Sequence, residues 1–285
     1  MIKNYKFIKY EDMKLFWEDV QDLLEEKEWY NNLMIRNCNY GVNNDTKDWL
    51  FGIVKNNEII EMIVLFRPPW KMVVYSPLNN YSDEIIIYLA NEVYKIRPDL
   101  LGINTEKETA NKFAKEFCRL ANKTTKTRNF LRILLLEKII EAKLRDDVIF
   151  RKAVDKDKVT LKKYLKAFTK EALHEKMSDE RAEEKFDCYM KQGYYVLEKD
   201  GKIVAQAVLG GIMKNGNCVS CVFTPKEERG KKYAYNLVYR ISKEQLDNGN
   251  KFCVLYTDDT NPISNYVYEK IGYKRMEDWE EIDFI

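Results

Sequence analysis

Hydrophobic positions in the second half of the chain alternate between strand-like runs and helical spacing, and each change of period marks a predicted element. Short apolar runs bounded by turn residues predict strands, and apolar residues three or four positions apart predict helices. Asp200-Gly201 favours a hairpin between the second and third of these strands. The predicted order is strand, two helices, three strands, helix, strand, helix and strand, which is an α/β fold with a mixed sheet. The elements lie, in order, near residues 150–155, 157–168, 178–190, 194–198, 203–211, 218–224, 230–248, 252–256, 261–270 and 279–284.

The first half repeats part of this order more weakly. Apolar runs at 49–54 and 59–66 predict a hairpin, 72–76 a further strand, and 101–117 a strand followed by a helix. We therefore predict an internal duplication with domains at 1–145 and 146–285 and a seam near 143–148. An unrelated α+β lobe is the alternative. Residues 130–136 are compatible with a helix or a strand, and because they are rich in Leu and Ile we favour a strand.

Composition narrows the functional classes. The chain has 285 residues, 45% of them hydrophobic and 33% charged, which is enough apolar material for a packed core. The net charge of +2 argues against a dedicated nucleic-acid-binding protein. Apolar runs are too short to cross a bilayer, and the N-terminus has no signal-peptide pattern. We expect a cytoplasmic protein, either a monomer or a homodimer, with reduced cysteines.

The sequence argues against a metal site and against a Ser-His-Asp hydrolase. Cys218-x-x-Cys221 lacks a second ligand pair, and we interpret both as small apolar strand residues. His174 is the chain's one histidine and is interpreted as a surface residue, which argues against a Ser-His-Asp hydrolase. We predict no metal.

The segment after the central predicted strand carries the strongest chemical signal. Val222-Phe223-Thr224 ends that strand, and the charged loop Arg229-Gly230-Lys231-Lys232 runs into a predicted helix that Gly230 opens, with Tyr233 and Ala234 in its first turn. A helix N-terminus directs free amide N–H groups and a positive dipole at one point, which suits a diphosphate. Core packing is the alternative role for Val222 and Phe223.

A second helix downstream adds a candidate acid. Asn261 and Tyr268 are seven residues apart, which is two helical turns, so we expect both on one face. Gly272-Tyr273 is interpreted as the helix stop and an aromatic plug. A half-buried structural tyrosine is the alternative for Tyr268.

Together these segments resemble the GNAT acyltransferase superfamily, whose loop pattern is Arg or Gln, two residues, Gly, one residue, then Gly or Ala. Arg229 and Ala234 match this pattern, whereas Lys232 stands at the central glycine. We expect Lys232 to adopt ordinary helical φ/ψ there. The resemblance implies that acetyl-CoA is the co-substrate, that Val222, Phe223 and Thr224 pair with the pantetheine arm, and that residues 229–234 hold the pyrophosphate.

The same resemblance implies that Asn261 faces the cofactor and that Tyr268 protonates the departing CoA thiolate. Residues 28–33, 66–69 and 255–258 look like segments of a bacterial two-lobed GNAT group with a degenerate first lobe. The expectation is an N-acetyltransferase with a tandem GNAT-like fold that acts on a small-molecule or peptide amine. No base is assigned, although Asp258 and Asp259 follow a neighbouring strand. Alternatives are a non-catalytic CoA sensor and an aminoacyl-tRNA-dependent transferase.

Overall fold

The computed structural model describes residues 4–211 and 213–285. They form two compact units. The first contains the chain up to Arg132 together with Glu277–Ile285, and the second is Ile133–Met276. Two long strands, Thr125–Leu136 and Lys274–Phe284, each contribute residues to both units. The predicted domains at 1–145 and 146–285 were drawn from a proposed duplication of the sequence, which these units do not test, and they remain a prediction.

The first unit has a small antiparallel sheet in the order β1-β2-β3-β4, and its fifth strand pairs antiparallel with residues 279–283. Its core lies between this sheet and the two helices α3 and α4, with Phe66, Phe113 and Phe117 fully buried. The elements are β1 Tyr5–Lys9, α1 Met13–Glu25, α2 Glu28–Gly41, β2 Leu50–Asn56, β3 Ile59–Phe66, β4 Val73–Tyr75, α3 Asp83–Ile96, β5 Gly102–Glu106 and α4 Lys107–Ala121.

The second unit follows the predicted order of elements, which is thereby confirmed. Its strands neighbour one another in the order β6-β11-β10-β9-β8-β7. The elements are β6 Thr125–Leu136, β7 Ile149–Lys152, α5 Lys158–Ala172, α6 Asp179–Gln192, β8 Tyr194–Lys199, β9 Lys202–Gly210, β10 Gly216–Phe223, α7 Tyr233–Asp247, β11 Phe252–Asp258, α8 Pro262–Ile271 and β12 Lys274–Phe284. Short 3₁₀ turns lie at Asp155–Asp157 and Lys226–Glu228.

Alternating residues of β8 show that this sheet is covered on both faces. Tyr195 and Leu197 pack in a core with α7 and α8, whereas Tyr194 and Val196 pack in a second core with α5 and α6. Successive side chains of a strand point to opposite faces. The second unit is therefore a helix–sheet–helix sandwich, and its central strands are buried on both sides.

Local sequence signals explain several of the element ends. Asp200 and Gly201 have φ of 49° and 74°, the left-handed pair that a two-residue hairpin requires. The Ser178 side chain caps α6 by accepting a hydrogen bond from the Arg181 amide at 3.2 Å. Gly272 ends α8 with φ of 118°. The predicted strand at 130–136 is also confirmed, because it forms the second half of β6.

Candidate active site

The two central parallel strands of the second unit, β10 and β11, are paired over only part of their length. β10 and β11 pair in parallel where Gly216–Cys218 lies beside residues 252–254. Beyond that point β10 shifts its register against β9 between Ser220 and Phe223, and Cys221 takes φ of 51°. A bulge of this kind bends a strand and re-aims its side chains. Cys218 and Cys221 both lie in β10, as predicted, and Cys221 is in addition the left-handed residue of the bulge.

The loop after β10 leads into α7, but the helix begins later than predicted. Gly230 does not open it: its φ is 78°, and the first helical residue is Tyr233. Lys232 is the N-cap, with φ of 63° and ψ of 23°. The expectation of ordinary helical φ/ψ at Lys232 is wrong, because this is the left-handed region that glycine adopts most easily.

Carbonyl groups of this loop are held by donors from the protein. The Thr224 carbonyl accepts from Arg229 Nε at 3.0 Å, and the Lys232 carbonyl accepts from the amide and the side chain of Asn236 at 3.0 and 2.8 Å. Arg145 donates to the Lys231 carbonyl at 3.4 Å. The Arg229 guanidinium also binds Glu171 at 2.6 Å, so it clamps the loop from the side of α5.

The amide groups at the start of α7 are left for another acceptor. The first amides of a helix have no partner within it, Lys232 supplies no side-chain cap, and the first turn has no acidic residue. The corresponding helix of the first unit differs, because α3 begins with Asp83 and Glu84. Carboxylates there oppose an anion, so the α7 N-terminus is the better anion site of the two.

Some of the other residues predicted for the site, at the end of β10 and the start of α7, lie in the core. Phe223 is buried, with its ring 5.4 Å from that of Tyr164, and Val222 is half-buried against the core beneath α7. Tyr233 is buried under the Arg145 guanidinium, which lies 5.1 Å from its ring. Ala234 is half-buried, and the Lys231 ammonium pairs with Glu228 at 2.8 Å.

Tyr268 projects from α8 into the same core. Its side chain is only 8% exposed, and its ring meets that of Tyr273 edge-on at 6.0 Å. Burial raises the pKa of the Tyr268 phenol above its ordinary value, because the phenolate would be poorly solvated. The hydroxyl therefore keeps its proton at neutral pH and is available as a donor.

Asn261 and Asp258 have structural duties at the other end of the helix. The Asn261 side chain accepts from the Ser264 amide at 3.1 Å and caps α8. The Asp258 carboxylate accepts from the amide and the hydroxyl of Thr260 at 2.8 and 2.7 Å. These bonds hold the turn between β11 and α8, and a cofactor contact by Asn261 stays a prediction.

Comparison with protein-family models shows to which family this chain belongs. The family model described as GNAT acetyltransferase matches residues 76–281 of the chain. The chain belongs to the GNAT acetyltransferase family. A search of curated proteins gives no match.

Solved GNAT structures share the fold over the whole chain. An acetyltransferase of the GNAT family from Colwellia psychrerythraea is 11% identical with a TM-score of 0.62, and covers 98% of this chain and 100% of its own. A GCN5-related N-acetyltransferase from Sphaerobacter thermophilus is 11% identical with a TM-score of 0.64, over 99% and 95%. A tandem GNAT protein from the clavulanic acid biosynthesis pathway, solved without AcCoA, is 8% identical with a TM-score of 0.57, over 99% and 98%. At such identities the likeness shows the tandem fold alone.

Two buried polar atoms of this GNAT protein add to the site, one on Thr224, which the sequence analysis named, and one on Asn265, which it missed. The Thr224 hydroxyl and the Asn265 side-chain oxygen are buried and have no hydrogen-bond partner among the described residues. The Asn265 amide nitrogen donates to the carbonyls of Asp258 and Asp259 at 3.2 Å each, which fixes the oxygen's direction. Helical spacing was an available signal, because Asn265 lies one turn before Tyr268 on α8.

These orphaned acceptors fit an acetyl-CoA co-substrate. A buried acceptor without a partner costs free energy, so such an atom points to a missing donor. The pantetheine arm of CoA carries two amide N–H groups, and its diphosphate suits the uncapped start of α7. Thr224 after β10, the start of α7 and Asn265 on α8 therefore offer groups complementary to these two parts of CoA.

Metal and membrane features are absent from the part of the chain that the structure describes. Within residues 4–211 and 213–285, no cluster of three His, Cys, Asp or Glu side chains is arranged to hold a metal ion. The same residues contain no helix long and apolar enough to cross a membrane. His174 is exposed, as predicted.

Proposed function

We propose that this protein transfers the acetyl group of acetyl-CoA to the amine of a small molecule or peptide, by direct attack in a ternary complex. The observation that carries the proposal is the start of α7, where uncapped amides follow a loop whose carbonyls are already bonded. In this account the amides of residues 230–235 bind the diphosphate. The backbone of Val222, Phe223 and Thr224 receives the pantetheine arm along the end of β10.

Acetyl-CoA supplies a thioester whose thiolate is the leaving group. Tyr268 is the proposed proton donor to that sulfur, since its phenol is buried in the core of this unit and protonated at neutral pH. The thiol's ordinary pKa is about 8.5 and a phenol's about 10, so the donor gives up its proton only as the C–S bond breaks. Amides near the β10 bulge would stabilise the oxyanion.

Positioning of the thioester and the amine in one site also accelerates the proposed transfer. Holding thioester and amine together converts a bimolecular reaction into an intramolecular one. No base is assigned to deprotonate the amine. Asp258 already accepts two hydrogen bonds from Thr260, so it is a turn residue rather than the base in this proposal.

A thiol-release assay tests the proposal. The full chain is incubated with acetyl-CoA and a panel of polyamines, amino acids, aminoglycosides and lysine peptides, and free CoA is measured. We expect release with at least one amine and an increase of the melting temperature with CoA alone. Absence of both effects in folded protein would refute the proposal.

Lys232 supports a second candidate, a protein that binds CoA without turnover. A lysine occupies the left-handed position where the family pattern has glycine, and its Cβ stands beside the proposed diphosphate site. This candidate predicts thermal stabilisation by CoA and no thiol release with any amine. Turnover of a single acceptor would eliminate it.

A further inference from the structure

Arg67 of the first unit is held firmly by groups that carry no negative charge. The Arg67 guanidinium carbon lies 3.9 Å from the centre of the Tyr40 ring and 5.1 Å from that of Trp49, and the two rings are parallel within 5°. Arg67 also donates to the Asn37 side chain at 3.2 Å. Two aromatic faces and an amide therefore fix the orientation of a planar cation.

The chain builds this arrangement from two elements. Leu50 pairs with Phe66 across the β2–β3 hairpin, so Trp49 and Arg67, one residue beyond each strand, lie side by side. Helix α2 supplies Asn37 and Tyr40 near its C-terminal end. The contacts come from regular elements and are pre-organised.

The charge of Arg67 is not neutralised by any carboxylate of residues 4–211 or 213–285. Among the described residues no carboxylate lies within ion-pair distance of Arg67, whereas Arg97, Arg119 and Arg151 each have one. Burial and the nearby charge of Arg36 lower the pKa of Arg67 below its ordinary value. Arg36 lies one turn before Tyr40 on α2 and adds a second positive charge.

Arg67 also keeps donors available. A guanidinium has five N–H groups, and the described residues give this one a single hydrogen bond. Its other nitrogens are not among the buried atoms that lack a partner, so they retain contact with solvent. A rigid, half-buried arginine with free donors and an unpaired charge is suited to an oxyanion.

We propose that Arg67, held by Tyr40, Trp49 and Asn37 and assisted by Arg36, is a binding site for a small-molecule phosphate or carboxylate group. The site lies wholly in the first unit and does not depend on acetyl transfer. The guanidinium supplies two parallel N–H donors to the anion, and the aromatic rings hold its plane. A purely structural role, with the guanidinium only packing on the rings, is the alternative.

Calorimetric titration of the full chain with inorganic phosphate and, separately, malonate at constant ionic strength tests this site. We expect saturable binding in the millimolar range and weakening of about tenfold or more in Arg67→Gln, since a charge-assisted bond is lost. Arg67→Lys keeps the positive charge but lacks the two parallel N–H donors, so its affinity for the anion should lie between those of the unmodified protein and Arg67→Gln. Arg119→Gln is the matched control, because Arg119 is exposed and already paired with Glu116 at 2.7 Å.

The two probes separate the sources of the anion. Tighter binding of phosphate assigns a phosphorylated ligand, and tighter binding of malonate assigns a carboxylate. Absence of saturable heat with both probes up to about 50 mM, or equal weakening in Arg67→Gln and Arg119→Gln, overturns the proposal. If Arg67→Gln does not fold, unchanged binding in both Arg67→Lys and Arg36→Gln overturns it instead.

Discussion

Replacing Lys232 by glycine should stabilise this protein, although the change removes a whole side chain. Lys232 has φ of 63° and ψ of 23°, a conformation that costs an L-residue roughly 1–2 kcal/mol. Glycine removes that cost but adds roughly 0.5–1 kcal/mol of unfolded-state entropy. The difference favours Lys232→Gly by about 0.5–1 kcal/mol, or roughly 1–4 °C in melting temperature. Urea unfolding followed by circular dichroism measures the change.

Neighbouring positions provide matched controls. Lys231 is exposed and its φ is not positive, so Lys231→Gly should destabilise by about 0.5–1 kcal/mol. Gly230 has φ of 78° and a Cβ there would meet nothing within 4 Å, so Gly230→Ala should cost about 1–2 kcal/mol through backbone strain alone. Equal destabilisation by Lys232→Gly and Lys231→Gly would refute the left-handed assignment.

Three further predictions concern catalysis, pH and the end of α8. Tyr268→Phe should lower kcat for thiol release about 100-fold or more, while Tyr266→Phe, 61% exposed on the same helix, should not; equal rates would contradict the proton-donor role. Burial raises the pKa of Asp157, but hydrogen bonds from Arg151 outweigh burial and hold this pKa below its usual 3.8. The ionised Asp157 therefore stabilises the fold above about pH 4, and this stabilisation is lost on further acidification. Asp157→Asn should therefore lower the melting temperature less at pH 3 than at pH 7, and an equal loss would exclude this linkage. Gly272→Ala should destabilise by about 2–3 kcal/mol, since a Cβ would meet a carbonyl oxygen at 2.7 Å with φ at 118°; an unchanged urea midpoint would count against it.

Hydrophobic periodicity predicted the second unit well because its elements carry strong local signals. The Asp200-Gly201 turn has the left-handed φ values that its sequence favours, and Ser178 caps α6 as its position suggests. The stripe through Leu237, Val238 and Ile241 is fully buried against the sheet. In these places local preference and tertiary packing agree, so the sequence alone was sufficient.

Conformations imposed by distant contacts were not predictable. Lysine is compatible with a right-handed helix, so its sequence does not reveal the left-handed conformation of Lys232 or the start of α7 at Tyr233 instead of Gly230. The bulge at Cys221 depends on its partner strand β9, which no local pattern reveals. Tertiary structure overrode the backbone preference at both positions.

Side-chain partners limited the prediction of the site in the same way. Asn261 matched a family motif, but its side chain caps α8, whereas Asn265 carries the orphaned buried oxygen. A sequence shows that both can lie on one helix, yet it does not show which oxygen lacks a donor. The strand through Arg132 and Ile133 likewise gives no local sign of the unit boundary that falls within it.

A crystal structure of the full chain with bound CoA would show whether the start of α7 holds the diphosphate. We expect diphosphate oxygens to accept hydrogen bonds, about 2.7–3.2 Å long, from main-chain amides of residues 230–235. We also expect the sulfur beside the Tyr268 hydroxyl. Diphosphate bound away from the start of α7, with these amides facing solvent, would contradict the account.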